Sequence, residues 1–163
     1  MKTKYTVQHR RKREGKTDYR KRLELLKGRK DRVVIRRTNT QIIIQLVKYE
    51  EEGDKVLYTF KSSGLKKQGW NHQANNLPAC YLAGLVAGKE MANKKVKSAI
   101  LDLGLRSPKK GGKIYAALKG LVDSGLKIPV GDDIYPTEER IKGKHINEKV
   151  EKDFEKLKSK LEK

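Results

Sequence analysis

The chain has 163 residues, of which 36% are apolar and 37% are Asp, Glu, Lys or Arg, so it can bury only one modest core. Its net charge of +20 favours a polyanionic partner, with nucleic acid first and an anionic membrane surface second. No apolar run approaches the roughly 18 residues that a bilayer-spanning helix needs, and no signal-peptide segment begins the chain. The single cysteine, Cys80, cannot form an internal disulfide, so we expect a cytoplasmic protein.

Residues 1–31 are predicted to form a basic arm. The first 30 residues contain thirteen Lys or Arg against three acidic residues, a net charge of +10, which is half the charge of the chain. The stretch from His9 to Lys16 is too charged to fold alone, so it either remains a solvated tail or becomes ordered on RNA. Its arginines favour RNA because guanidinium binds phosphate and stacks on bases, and Tyr5 and Tyr19 could also stack.

A short helix is predicted within the arm, over residues 18–26. Tyr19, Leu23 and Leu26 follow one another at the i, i+4, i+7 spacing of one helix face. Gly28 is expected to end the helix.

Three strands are predicted next. Residues 33–35 are β-branched, residues 42–47 give the strongest strand pattern in the chain, and residues 56–60 continue as a third strand. Turns at residues 38–40 and 50–54 separate them. Because such short connections join antiparallel neighbours, we expect an antiparallel meander.

A polar loop, a long helix and a fourth strand follow. The loop covers residues 62–76, and Pro78 should lie in the first turn of a helix that runs to about Asn93. Small side chains would let this helix approach a sheet closely; they are Ala79, Ala83, Gly84, Ala87 and Gly88. Residues 96–103 have the pattern of a strand buried on both faces, which predicts a parallel neighbour reached by a crossover.

A second helix is predicted after Gly111-Gly112, with Gly125 as its C-terminal cap. Its apolar positions are Ile114, Ala117, Leu118, Leu121 and Val122. Residues 32–125 then form a core domain of order βββαβα, an α/β (α+β) fold with one mixed sheet and packed helices. The C-terminal tail, residues 126–163, should be largely extended over the surface until a last helix that begins after Asn147.

Candidate RNA-binding residues lie in the arm, near the strand ends and in two loops. The loop from Arg106 to Lys113 joins a strand to a helix start, where outward-pointing backbone N–H groups would favour a phosphate. An ordinary basic loop is the alternative, and the spacing does not match a Walker P-loop. Trp70 either covers the core or contacts a base. The full set is Arg10, Arg11, Lys12, Arg13, Lys16, Tyr19, Arg20, Lys21, Arg22, Arg36, Arg37, Lys66, Lys67, Trp70, His72, Lys109, Lys110 and Lys113.

Catalytic chemistry has little support in the sequence. The three histidines lie far apart without metal-ligand spacing, and Cys80, on an apolar helix, is predicted to be a core residue. A βββαβα sheet also fits a nuclease of the ribonuclease H type, whose clustered carboxylates hold metal ions. That chemistry needs an acid in the first strand, where residues 33–37 have none, and the fourth strand contains only Asp102. We therefore predict no enzyme, no cofactor, no metal and no small-molecule substrate.

Seven segments carry a family resemblance. They are REGKTDYRKRL (13–23), PACYLAGL (78–85), LDLGL (101–105), AALKG (116–120), DSGL (123–126), IP (128–129) and EERIKG (138–143). Together, and in register along nearly the whole chain, they resemble large-subunit ribosomal protein eighteen in its archaeal and eukaryotic form. The eukaryotic relative is called ribosomal protein five.

The resemblance implies a ribosome-bound, non-enzymatic protein that binds 5S rRNA. Such a protein helps attach this RNA to the large-subunit (23S-type) rRNA in the central protuberance, among neighbouring large-subunit proteins and away from any membrane. Leu77 stands where the family usually has a Thr or Ser cap, which predicts a less tightly capped helix. The chain also lacks the long C-terminal extension of eukaryotic members, so functions tied to that extension are not expected. A free-standing RNA chaperone is an alternative, but it would need mostly disordered sequence, whereas residues 32–125 look folded.

Overall fold

Four strands form one mixed sheet in the computed structural model, which describes residues 6–162. They are β1 (Arg32–Arg37), β2 (Ile42–Lys48), β3 (Lys55–Lys61) and β4 (Ile100–Asp102). Their spatial order is β3-β2-β1-β4, in which β2 is antiparallel to both β1 and β3, and β4 is parallel to β1. The predicted fold class, the antiparallel meander and the parallel fourth strand are confirmed.

Helices pack on one face of the sheet, and further helices lie in the N-terminal arm and in the C-terminal tail. Within residues 6–162 the α-helices are α1 (Arg10–Arg13), α2 (Tyr19–Lys27), α3 (Leu77–Asn93), α4 (Lys113–Asp123), α5 (Glu138–Lys142) and α6 (Glu148–Glu162), and the 3-10 helices are Ser62–Gln68 and Asp132–Ile134. Helices α3 and α4 pack on the sheet and share one hydrophobic core with it. None of the helices in this range is both long and apolar enough to cross a bilayer.

Helix α2 lies where it was predicted, but it presents a different face to the protein. It begins after Asp18, whose side chain accepts hydrogen bonds from two backbone N–H groups, and it ends at Gly28. Leu23 is 59% exposed, so the face that carries Tyr19, Leu23 and Leu26 is not buried as a unit. The helix turns Arg22 and Leu25 toward the sheet instead, because Arg22 has an acidic partner there.

The start of α3 is capped, contrary to the expectation from Leu77. Asn76, one residue earlier, accepts a hydrogen bond from the backbone N–H of Ala79 at 2.9 Å. Leu77 and Pro78 both lie inside the first turn, where proline is tolerated. The capping role has moved to a neighbouring residue that performs it equally well.

Gly84 and Gly88 of α3 face α4, whereas the small residues of this helix were expected to allow a close approach to the sheet. A Cβ atom added to Gly84 would collide with the carbonyl oxygen of Ala117, and one added to Gly120 would lie 2.8 Å from the backbone N of Leu85. Glycine on both helices therefore lets the two backbones touch. This close contact sets the position of both helices relative to each other.

Strand β4 is shorter than predicted. The expected strand covered residues 96–103, but only Ile100–Asp102 pairs with β1. Earlier in the segment, Ser98 forms an isolated parallel bridge with Lys127, and the N–H of Ala99 donates to the Lys127 carbonyl. The backbone groups before Ile100 are thus satisfied by the segment that follows α4.

The C-terminal tail is less extended than predicted. Helix α5 and a 3-10 helix interrupt it before α6 begins after Asn147, as predicted. One face of α6 is apolar and packed: Val150, Phe154 and Leu157 are buried in the same core as α3, and Leu161 is half-buried against it. A short helix in the tail was missed because its five residues are too few to show a period.

We predict that Gly84→Ala destabilises the protein. Alanine in place of glycine inside a helix normally stabilises by about 1 kcal/mol, but here the added methyl group forces α3 and α4 apart. We expect a net loss of at least about 2 kcal/mol in the free energy of unfolding, measured with urea. Gly131→Ala is the control because open space surrounds its Cβ position, and it should change stability by less than about 0.5 kcal/mol. Equal effects of both changes would contradict the close packing of the helices.

Candidate nucleic-acid interface

A groove of about 600 Å³ separates the N-terminal arm from the sheet face opposite α3 and α4. Alternation along β1 creates its floor, because Val33 and Ile35 point into the core while Arg32, Val34 and Arg36 point into the groove. Apolar and amide side chains complete the floor; they are Val47, Val56 and Gln45. Arm residues form the opposite wall, including Arg11, Lys16, Lys21 and Arg22.

Five charged side chains cross this groove in alternating sign, and we name them the Arg–Asp chain: Arg22, Asp54, Arg32, Asp102 and Arg36. Arg22 on α2 donates two hydrogen bonds to Asp54, of 2.8 and 2.9 Å. Arg32 Nη2 lies 2.7 Å from Asp54 Oδ2, as a close ion pair without hydrogen-bond alignment, and its Nη1 donates to Asp102 at 2.8 Å. Arg36 donates to Asp102 Oδ1 at 3.0 Å. The Arg–Asp chain thus connects the arm, the β2–β3 turn, β1 and β4.

The Arg–Asp chain keeps both of its carboxyl groups ionised. Hydrogen bonds from Arg22, together with the charge of Arg32, hold the pKa of Asp54 below its ordinary value. Burial by itself would raise the pKa of Asp102, but the hydrogen bond and charge of Arg36, the N–H of Gly104 and the charge of Arg32 bring it below the ordinary value. The hydrogen bond to Asp54 likewise raises the pKa of Arg22.

Two predicted RNA-binding residues, Arg22 and Arg36, therefore have internal partners. Both side chains are still partly exposed, 29% for Arg22 and 39% for Arg36, but their guanidinium groups bind carboxylates of this chain. Sequence reasoning missed their partners, Asp54 and Asp102, and also Arg32, which pairs with both carboxylates. Arg32 begins a buried strand, which was the available signal that its charge needs an acid nearby.

The loop around Trp70 is part of the packing and does not present a base-stacking ring. Trp70 is fully buried, and its Nε1 donates to the Gln73 carbonyl at 3.3 Å. His72 lies against it edge to face and pairs with Asp153 of α6 at 2.9 Å. Trp70 is therefore a core residue of the free protein, and His72, whose side chain is partly exposed, connects the loop to α6. Contact of either residue with RNA stays a prediction.

Most of the remaining predicted cations outside the arm lie at one edge of the sheet. Strands β1 and β3 are both antiparallel to β2, and β4 is parallel to β1, so β1, β3 and β4 end at the same edge. We name this surface the carboxyl edge and define it by the cations that follow those ends: Arg37, Lys66, Lys67, Lys109, Lys110 and Lys113. All are exposed except Lys113, which is half-buried. Its charge and that of Arg37 act on the thiol of Cys80, whose pKa burial raises to about 12.

The N–H groups of Gly111 and Gly112 are not available to a phosphate, contrary to expectation. The N–H of Gly111 donates to the Ile134 carbonyl at 2.9 Å, and the N–H of Gly112 donates to the Lys109 carbonyl at 3.1 Å. The loop closes on itself and on the tail because an amide at a buried turn must be satisfied. The first N–H groups of α4, which no side chain caps, and the exposed side chains of Lys109 and Lys110 remain as candidate contacts.

The arm is more ordered than its charge suggested. Residues Arg10–Arg13 form one helical turn, and Arg11 Nε donates to Thr17 Oγ1 at 2.8 Å. Tyr19 is half-buried with its ring 5.0 Å from that of His9. The predicted arm cations with exposed side chains are Arg10, Arg11, Lys12, Arg13, Lys16, Arg20 and Lys21. Tyr5 lies outside the described residues.

The Arg–Asp chain differs from a metal-binding cluster in its chemistry. The Asp102 oxygens accept hydrogen bonds from two guanidinium groups and from the N–H of Gly104. Over residues 6–162, no three His, Cys, Asp or Glu side chains lie close enough together to bind one metal ion. The predicted ribonuclease H-type alternative therefore gains no support from the one carboxylate in β4.

The mixed sheet, the basic arm and the cationic carboxyl edge define a small basic α+β protein of the class that binds nucleic acid. Residues 3–98, which include the arm, β1, β2, β3 and α3, match the family described as "Ribosomal large subunit proteins 60S L5, and 50S L18". The chain belongs to this family, and it is a protein of the large ribosomal subunit.

Archaeal relatives support the same assignment, and each is named "Large ribosomal subunit protein uL18". The protein of Korarchaeum cryptofilum is 49% identical over 91% of this chain and 76% of its own length. That of Methanoregula boonei is 48% identical over 90% of this chain and 86% of its own length. That of Thermoplasma acidophilum is 43% identical over 92% of this chain and 95% of its own length.

We predict that Asp102→Asn destabilises the protein at neutral pH far more than in acid. Because the folded pKa of Asp102 lies below the ordinary value of 3.8, its stabilisation is complete above that value and is lost as pH falls through the folded pKa. At about pH 7 the change should cost about 3 kcal/mol, since it leaves Arg32 and Arg36 short of a partner. Urea unfolding at about pH 7 and about pH 2 measures the difference, which should shrink in acid.

The control for this prediction is Asp133→Asn, which removes a carboxylate from an exposed site. It should alter the free energy of unfolding by less than about 0.5 kcal/mol. If Asp102→Asn cost the same at both pH values, the ionised state of Asp102 would not be what stabilises the fold.

Proposed function

We propose that this protein binds 5S rRNA and helps attach it to the large-subunit (23S-type) rRNA in the central protuberance. The observation that carries the proposal is the family match over the arm, β1–β3 and α3, since those elements bear most of the candidate RNA-binding cations. Neighbouring large-subunit proteins would be its further partners. The proposed role is structural, so it needs no catalytic group.

Two cationic surfaces supply the physical basis of RNA binding in this proposal. Helix α1 consists of four consecutive exposed cations, and the carboxyl edge adds a second group on the folded core. Lysine and arginine on such surfaces contact phosphates, which positions an RNA without reading its sequence. Two separate surfaces can hold two segments of one folded RNA and so recognise its shape.

A non-enzymatic role agrees with the chemistry of the reactive residues that the structure describes. Asp102 is bound by Arg32 and Arg36, and Cys80 is buried with a thiol pKa of about 12, so neither side chain is a ready nucleophile or base. We therefore propose that the protein neither hydrolyses RNA nor takes a small-molecule substrate.

We predict that the protein binds 5S rRNA more tightly than transfer RNA of similar length. A filter-binding titration of both RNAs over a series of salt concentrations measures the preference. Affinity for both should fall steeply as salt rises, because each phosphate contact releases counterions, while the preference should persist at moderate salt. Equal affinities at moderate salt would contradict the 5S assignment and leave only a general RNA binder.

We predict that replacing Lys109 and Lys110 together by Ala weakens RNA binding and lowers the salt dependence of the binding constant. If each lysine contacts one phosphate, the slope of log K against log salt should fall by about 1.4 to 1.8 for the pair. Lys94→Ala with Lys97→Ala is the matched control, since both lysines are exposed but follow the C-terminal end of α3. Equal effects of the two pairs would show that the carboxyl edge has no special role.

A further inference from the structure

We propose that Asp54 is a positioning residue for RNA binding: this acidic side chain docks the basic arm onto the sheet and thereby raises the affinity for RNA. The inference rests on the proposed RNA-binding function of the arm. By its charge alone, a carboxylate near the site would lower the affinity for RNA, whereas the docking role of Asp54 raises it. Negative charge near an RNA site repels phosphate, so simple electrostatics expects that removal of Asp54 would strengthen binding.

The geometry of the contact indicates a dock and not a loose surface ion pair. Arg22 and Asp54 join through two parallel hydrogen bonds, of 2.8 and 2.9 Å, and the two side chains are 29% and 28% exposed. Bidentate arginine–carboxylate pairs fix orientation as well as distance. The pair also joins residues 32 positions apart, so it links α2 to the β2–β3 turn and not to its own neighbours.

Asp54 is itself held in place by the folded core. Its second partner, Arg32, is only 2% exposed and is tied by Nη1 to Asp102 of β4. Arg32 therefore cannot follow Asp54 outward, because its charge would lose the partners that compensate for burial. The position of Asp54 is set by the sheet, and Arg22 meets an acceptor that is already in place.

Helix α2 needs such a contact to be ordered. It has nine residues, fewer than an isolated helix requires in water, and none of its residues is fully buried. Leu23, its most exposed apolar residue, contributes little packing. Apolar burial therefore stabilises this helix only in part. The hydrogen bonds from Arg22 to Asp54 supply further tertiary stabilisation.

Docking determines where the arm presents its cations. With Arg22 turned inward to Asp54, the neighbouring Arg20 and Lys21 are exposed, and Lys21 lines the rim of the groove. An arm fixed in this orientation loses less conformational entropy when it binds RNA than a free arm would. If only a fraction of molecules has the arm docked, the apparent affinity falls by that fraction.

The test compares two acid-to-amide changes in the β2–β3 turn that remove the same charge. Asp54→Asn removes the negative charge and one of the two oxygens that accept hydrogen bonds from Arg22, whereas Glu51→Gln removes an exposed carboxylate for which the structure shows no ion pair. Binding to 5S rRNA and to transfer RNA is measured for both variants at the same salt concentration. We expect Asp54→Asn to weaken binding about tenfold and Glu51→Gln to leave it unchanged or raise it by less than about twofold.

A second readout follows the arm without RNA. Hydrogen exchange of the α2 amides, residues 19–27, should accelerate at least about tenfold in Asp54→Asn and remain at the wild-type rate in Glu51→Gln. Core amides of β2 should remain protected in both variants, which separates undocking from unfolding. Unchanged α2 exchange in a folded Asp54→Asn protein would overturn the proposal, as would RNA binding that equals or exceeds wild type.

A second pair of variants covers the case in which Asp54→Asn does not fold. Arg22→Gln removes the arm's side of the dock while Arg32 keeps both carboxylates, and Arg20→Gln removes one exposed cation from the same helix. Arg22→Gln should accelerate α2 exchange and weaken RNA binding more than Arg20→Gln. Equal effects would overturn the docking role. A wild-type protein without preference for 5S rRNA would instead contradict the proposed function, while the exchange comparison would still decide the role of Asp54.

Discussion

Burial of one positive charge, on Arg32, is the constraint on which the architecture depends. A guanidinium group out of water costs several kcal/mol unless acids surround it, and here Asp54 and Asp102 stand on either side. One acid belongs to the β2–β3 turn and the other to β4, so the same charge connects the turn of the meander to the fourth strand. Arg22 and Arg36 form the two ends of this row of alternating positive and negative charges, and Arg22 holds the arm against the sheet.

This arrangement divides the cations into two groups with different roles. Arg22, Arg32 and Arg36 have carboxylate partners inside the protein and act on the fold. The exposed cations of α1, of the outer side of α2 and of the carboxyl edge lie at the surface, where even the Arg10–Glu14 ion pair is open to solvent. We therefore expect the second group to make most of the phosphate contacts. Net charge by itself could not make that distinction.

The strand directions and the close contact between α3 and α4 together bring the cations of the carboxyl edge onto one surface. Glycines on α3 and α4 bring the backbones into contact, and the N-terminal ends of both helices then lie near the ends of β1 and β4. Lys113, at the start of α4, and Arg37, at the end of β1, consequently both act on Cys80 near the start of α3. Cations that are 76 residues apart in sequence thus share one surface.

Periodicity and turn residues in the sequence determined the element order, the meander, the parallel fourth strand and the start of α6, because those features follow from local pattern and connection length. The seven motif segments indicated the family, and the charge indicated a polyanionic partner. Local sequence pattern does not reveal which distant residue a side chain contacts, however, and those contacts decided the roles of individual side chains. Trp70 is buried, and Gly84 contacts α4 and not the sheet. Arg22 and Arg36 form hydrogen bonds with Asp54 and Asp102, respectively. Only the tertiary structure brings distant residues together. It thereby decides whether a charged side chain pairs with an acid of the same protein and stabilises the fold, or remains at the surface where it can bind a ligand.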